Sequence, residues 1–275
     1  MQLRKHKATR KPASPKGINL GSSFAKNLEF LFVGKNYPDL VSGKYPASGS
    51  ATTVISNFDE FGSGLSTNFN GTSDDRTFPE DLGHQTLGSS TLFALVKYDT
   101  FPSSYTAFVS ISGVGETEAT NYVDFIGHTN AKRLRAFWEF STGGNVLTDS
   151  DVLSINAGEW HLYTITRTVA ATSSVRFYLD GVQQGSTVTG LANPSGGTSS
   201  VARVGVDQGG AARFDGEIAL LGKASRAWTD EEIKNLHKNV WQMFDQNTYI
   251  PGESGGAPSL STFQPAWAMN SNVVI

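Results

Sequence analysis

The chain has 275 residues, 38% of them hydrophobic and 17% charged, with 22 Lys+Arg against 25 Asp+Glu, 29 Gly, 10 Pro and no Cys. That length suits one large domain or two small ones, and the charge is too sparse for a coiled coil or a disordered polyelectrolyte. Without Cys there are no disulfides, thiolate zinc sites or thiol nucleophiles, which fits assembly in a reducing cytoplasm.

Residues 1–17 read as a basic extended arm. Arg4, Lys5, Lys7, Arg10, Lys11 and Lys16 stand there with no acid and two prolines, a composition that cannot bury enough apolar surface to order itself. No apolar core of a secretory signal follows, and no stretch reaches the roughly 20 apolar residues of a membrane span. Removing the six arm cations leaves 16 Lys+Arg against 25 Asp+Glu, a net charge of −9 on the rest of the chain. The formal −3 is therefore the sum of a basic arm and an acidic body.

From about residue 90 the pattern has period two. Candidate strands are Thr91 to Tyr98, Tyr105 to Ile111, Tyr122 to Ile126, Arg133 to Phe140, Trp160 to Thr166, Val175 to Leu179, Val201 to Val206 and Gly216 to Leu221. Asp180-Gly181 separates Phe177-Tyr178-Leu179 from Val182-Gln183-Gln184, the signal for a type I′ hairpin. Many short strands with Gly- and Ser-rich turns indicate an all-β jelly-roll sandwich.

One helix is expected near the end. Thr229 caps it, Glu232 completes a capping box, and Trp228 and Ile233 occupy the positions of a hydrophobic staple. Ile233, Leu236, Val240 and Phe244 mark one apolar face. The sandwich is thus assigned to residues 18–245. Residues 246–275, with Pro251-Gly252 and Gly255-Gly256 before Phe263, Trp267, Val273, Val274 and Ile275, read as an extended C-terminal tail.

Five segments in order resemble the laminin G-like branch of the concanavalin A-like lectin/glucanase superfamily. They are Phe69-Asn70-Gly71-Thr72-Ser73-Asp74-Asp75, Leu92 to Lys97, Trp160-His161-Leu162-Tyr163, Tyr178-Leu179-Asp180-Gly181 and Phe214-Asp215-Gly216-Glu217-Ile218. The resemblance covers about residues 50 to 240. The opening Pro15 to Phe32 and the close Trp228 to Phe244 are similar to laminin G-like proteins of tailed bacteriophages and prophages. That likeness implies a virion component assembled in the host cytoplasm.

Glucanases of this fold carry Glu-x-Asp-x-Glu on one strand, where period two aims all three acids into the groove. Here Glu217 is followed at the second and fourth positions by Ala219 and Leu221, so no acid pair survives. Glu217 is expected to face solvent or support a turn, and the protein is read as a non-enzyme. Asn70, Asp74 and Asp75 cluster in one turn with Asp207 in another. They are read either as a calcium site, which the resemblance suggests, or as plain turn chemistry; no other cofactor is implied. His6, His84, His128, His161 and His237 show no metal-ligand spacing. Trp138, Trp160 and Trp228 are assigned to the core, so sugar binding rests on fold analogy.

The reading that results is a capsid decoration protein, a homo-oligomer anchored on other virion proteins such as the major capsid protein lattice. Arg4, Lys5, Lys7, Arg10, Lys11, Lys16, Phe263, Trp267, Val273, Val274 and Ile275 would make the partner contacts, with neither membrane nor nucleic acid involved. Host surface glycans are partners in the alternative reading, a carbohydrate-binding tail or fibre protein or a polysaccharide depolymerase.

Overall fold

The computed structural model describes residues 18, 22–34, 40–41, 45, 51–61, 63–78, 88–113, 122–129, 131–139, 145–194, 199–207 and 210–244. Their strands in chain order are β1 (Leu28–Phe32), β2 (Thr52–Asn57), β3 (Ser63–Asn70), β4 (Arg76–Phe78), β5 (Ser90–Tyr98), β6 (Tyr105–Gly113), β7 (Tyr122–Thr129) and β8 (Leu134–Glu139). There follow β9 (Asn145–Asp149), β10 (Trp160–Val169), β11 (Ser173–Leu179), β12 (Val182–Gln183), β13 (Val188–Leu191), β14 (Ser199–Val204), β15 (Asp215–Ala224) and the helix α1 (Asp230–Lys238). A single 3-10 turn spans Asp59–Phe61.

The strands form two antiparallel sheets. The larger runs β12-β11-β10-β5-β15-β3-β2, with β1 also on β15 and β13 on β11; the smaller runs β4-β14-β6-β7-β8-β9. Between them lies an aromatic-rich core that includes Phe69, Phe78, Phe108, Trp138, Tyr163 and Phe214. This is the expected all-β sandwich with one C-terminal helix.

A second core covers the other face of the larger sheet. Phe93, Leu95 and Leu162 pack there against Trp228, Ile233, Leu236 and Trp241 of the helical segment. Having a core on each side explains why β5, at the centre of its sheet, is an almost unbroken apolar run. Leu92, Ala94 and Val96 enter the first core, while Phe93 and Leu95 enter the second. Each of the Leu, Val and Phe side chains contributes about 1.5–3 kcal/mol on burial. β15 does the same with a bulge between Ile218 and Leu220, which shifts the alternation.

Every strand expected from periodicity is present, and Asp180 and Gly181 take positive φ (50° and 80°) at the hairpin tip. Strands β1, β2, β3, β4, β9 and β13 were not among the expected ones. β3, Ser-Gly-Leu-Ser-Thr-Asn-Phe-Asn, shows why: Ser66 and Thr67 are fully buried polar residues, so hydropathy is silent there.

The capping box forms as expected, Thr229 accepting from Glu232 N–H and Glu232 accepting from Thr229 N–H. The helix stops at Lys238, where the Asn239 N–H turns back to Asn235 O and Leu236 O. Val240 and Phe244 remain buried, but in the turns that follow, beside Trp241, whose indole N–H donates to Phe61 O at 2.7 Å. Ile18 forms an isolated antiparallel bridge with Phe244, so the segments flanking the sandwich meet at one point. No described helix is long and apolar enough to cross a membrane.

Candidate functional site

At one end of the sandwich three loops enclose an open cavity of about 460 Å³, within the range of small-ligand sites. They are the turn after β3, the β5–β6 connection, and the segment between β14 and β15.

The first loop is organised by Asn70. Its Oδ1 accepts the N–H groups of Thr72 (2.9 Å), Ser73 (2.9 Å) and Asp74 (3.1 Å), while Asp74 Oδ2 accepts from Asn70 N–H at 3.2 Å. Gly71, at φ 68°, lets this turn close on the third loop: its N–H donates to Phe214 O, and a Cβ there would sit 2.9 Å from Asp215 Cβ.

Asp207 organises the third loop. Its Oδ1 accepts from Ala211 N–H (2.8 Å) and Ala212 N–H (3.0 Å), and its Oδ2 accepts the Tyr105 hydroxyl at 3.2 Å. The loop is stitched to both others. Arg213 Nη1 donates to Asp74 O at 3.4 Å, Asp99 N–H donates to Asp215 O, and the Thr100 hydroxyl donates to Asp215 Oδ2.

The lining therefore mixes chemistries on a preassembled frame. Tyr105, 36% exposed, and the partly buried Phe101 supply aromatic surface; Arg213 and Asp215 supply one charge of each sign. Thr106, 1% exposed, also lines the cavity, and its hydroxyl has no hydrogen-bond partner among the described residues.

The structure brings Asn70, Asp74 and Asp75 into one turn and Asp207 beside the same cavity. These groups hold the loops: Asp75 Oδ2, for instance, accepts from the Thr77 hydroxyl at 2.9 Å. Calcium needs 6–8 oxygen ligands, and among the described residues no three His, Asp or Glu side chains converge to offer them.

Glu217 does not face solvent or support a turn, contrary to expectation. It is buried on β15, where its carboxylate takes hydrogen bonds from Lys97 Nζ, Ser56 and Ser66. Trp138, Trp160 and Trp228 are all core, as their sequence neighbours indicate. His161 Nδ1 lies 2.7 Å from Asp180 Oδ2, and His237 Nε2 lies 3.8 Å from Glu60 Oε1. Arg4, Lys5, Lys7, Arg10, Lys11, Lys16, Phe263, Trp267, Val273, Val274 and Ile275 lie outside the described residues, as do His6, His84 and the side chain of His128.

Sequence reasoning missed Thr100, Tyr105, Thr106, Arg213 and Asp215. Asp215 stands in the quoted Phe214-Asp215-Gly216 motif, and Tyr105 opens an expected strand. Only the fold sets them in one wall.

No curated protein sequence matches the chain. Among solved structures, it is similar to domain 4 of AbnA, an extracellular arabinanase from Geobacillus stearothermophilus, in complex with arabinotriose. The identity is 16% and the TM-score 0.54, over 77% of this chain and 98% of that one. It is also similar to the binding domain of Paraclostridial Mosquitocidal Protein 1 (11% identity, TM-score 0.57, 78% of this chain and 52% of that one). A structure concerned with the interaction of botulinum neurotoxin type C with two ganglioside molecules matches at 9% identity and TM-score 0.55, over 78% and 52% of the two chains. The chain thus spans about half the length of the toxin domains. At these identities the likeness is one of fold. A family model described as concanavalin A-like lectin/glucanases superfamily matches residues 70–234, more than half of the sequence, and the chain belongs to that family.

Proposed function

We propose that the protein is a non-enzymatic carbohydrate-recognition sandwich. The observation that carries this reading is the loop-end cavity: aromatic Tyr105 and Phe101 beside hydroxyls and the Arg213 and Asp215 charges, on loops already cross-linked. Sugars present apolar faces and hydroxyl edges together, and a preformed wall of this kind binds them without a large ordering cost. Similar folds in the arabinotriose and ganglioside structures are consistent with this use. The non-enzymatic part rests on Glu217, whose carboxylate is occupied by three donors and lacks acids two and four residues on. Titration calorimetry against an oligosaccharide panel tests the reading. Binding weakened by Tyr105→Ala and Arg213→Ala is expected; binding indifferent to both, or reducing-sugar release, overturns it.

A second reading, favoured by the Ile18–Phe244 bridge, concerns where the domain is displayed. We propose that it is a homo-oligomeric virion protein of a tailed phage, decorating the capsid, with the basic arm and the C-terminal tail attached to the major capsid protein lattice. Because residues 18 and 244 pair, both flanks leave the sandwich together and can reach one partner surface. An arm with six cations and no acid favours an acidic docking surface. Deleting residues 1–16 or 252–275 should abolish incorporation into particles; wild-type incorporation of both truncated chains sinks the assignment.

A further inference from the structure

The turn after β3 contains the one Asn-Gly pair of the sequence, Asn70-Gly71. In a flexible chain such a pair destroys itself slowly. The backbone nitrogen of the glycine loses its proton and attacks the asparagine Cγ, ammonia leaves, and water opens the succinimide so formed to aspartate or isoaspartate. Glycine favours the reaction because it has no side chain to obstruct ring closure and the widest backbone freedom.

In the folded chain both reacting groups are committed elsewhere. Asn70 Oδ1 accepts the N–H groups of Thr72, Ser73 and Asp74 and the Thr72 hydroxyl, while its Nδ2 donates to Ser73 Oγ at 2.9 Å. To present Cγ to the glycine nitrogen, the carboxamide must give up this whole set. The nucleophile is held as well: Gly71 N–H donates to Phe214 O at 3.1 Å, which opposes loss of its proton. That bond joins the β3 turn to the segment before β15, so freeing Gly71 means parting two loops. Asn70 itself is exposed, so its protection is geometric and owes nothing to exclusion of water.

We infer that Asn70 is a modification site locked by closure of its turn onto the Phe214-Asp215 segment: it stays intact while these loops are joined and deamidates when they part. The inference is independent of what the cavity binds. Its product works against the lock. Aspartate at position 70 keeps an acceptor for the three N–H groups but loses the donor to Ser73, and it adds a carboxylate to a turn that already holds Asp74 and Asp75 and abuts Asp215. Isoaspartate goes further, since its extra backbone carbon lengthens the turn.

The test follows deamidation of Asn70 by peptide mass spectrometry in the full chain, kept in warm neutral buffer either folded or unfolded in guanidinium chloride. The folded chain should react at least about tenfold more slowly, because reaction there waits on local opening. Arg213→Ala removes the side-chain strap from the third loop to Asp74 O and should move the folded rate towards the unfolded one. Ser73→Ala, which deletes the acceptor of Asn70 Nδ2, should do the same by a change confined to the turn. Circular dichroism confirms that each variant keeps the sandwich. Equal rates in the folded and unfolded parent chain overturn the inference, as does an unfolded chain in which Asn70 survives. Folded rates unchanged in both variants overturn it too, because the lock would then lie outside the loop closure.

Discussion

Lys97 Nζ lies 2.5 Å from Glu217 Oε1 across the β5–β15 pair, with Ser56 and Ser66 donating to the same carboxylate. Burial pushes the Glu217 carboxyl up, but the hydrogen bonds from Lys97, Ser56 and Ser66 and the lysine charge outweigh it, holding the group below its ordinary 4.5. A carboxyl lowered on folding stabilises the fold above its unfolded pKa and loses that contribution as pH falls through the folded value. Glu217→Gln should therefore flatten the loss of stability seen below about pH 4.5. Lys97→Met strands a buried carboxylate and should cost about 3 kcal/mol at neutral pH, read by chemical denaturation.

His161 titrates in the opposite sense. Burial lowers its pKa, but the hydrogen bond and charge of Asp180, with Glu159 adding to them, leave it raised above 6.5. Its contribution is fully present below pH 6.5 and disappears as pH rises through the folded value. The Tm should fall as pH is raised from about 6 to about 9. Asp180→Asn keeps an acceptor for Leu162 N–H and tolerates the positive φ at the hairpin tip, yet removes the charge. An Asp180→Asn variant whose Tm shows the same slope as the parent would refute this pairing.

Gly216 sits at φ 141° where a Cβ would overlap Lys97 O, a backbone atom with nowhere to go. Gly216→Ala should cost about 3 kcal/mol or more, far beyond the usual glycine effect on the unfolded chain. Thermal unfolding measures it. A shift of only a degree or two would mean that β15 can move away from β5.

Asp207 never touches the cavity's interior in the role proposed, yet it holds Tyr105 and two backbone N–H groups at once. Asp207→Ala should lower stability by about 2 kcal/mol and weaken sugar binding together. Tyr105→Phe separates the two effects: it deletes the hydroxyl but keeps the platform. Affinity in Tyr105→Phe should fall less than in Tyr105→Ala, and equal losses would argue against stacking.

Much of the sandwich is legible in the sequence because its central strands are apolar and its turns carry Gly and Asp. Thr229 and Glu232 announce the helix start by their spacing alone, and Asp180-Gly181 announces its hairpin. The helix end is less legible, since Val240 and Phe244 keep the apolar spacing after the backbone has turned at Asn239. Glu217 misleads because a charged residue on an expected strand suggests water, whereas its partners come from β2, β3 and β5, up to 161 positions away. The cavity suffers from the same distance. Asn70 and Asp207 are visible as turn formers, but Tyr105, Arg213 and Asp215 become one wall only when three loops from separate strands close on each other.

The bridge between Ile18 and Phe244 has a use in engineering. Antiparallel partners stand about 5 Å apart between Cα atoms, so the sandwich occupies a polypeptide detour that ends almost where it began. A domain with this connectivity can be spliced into a surface loop of a carrier protein without prising the loop open.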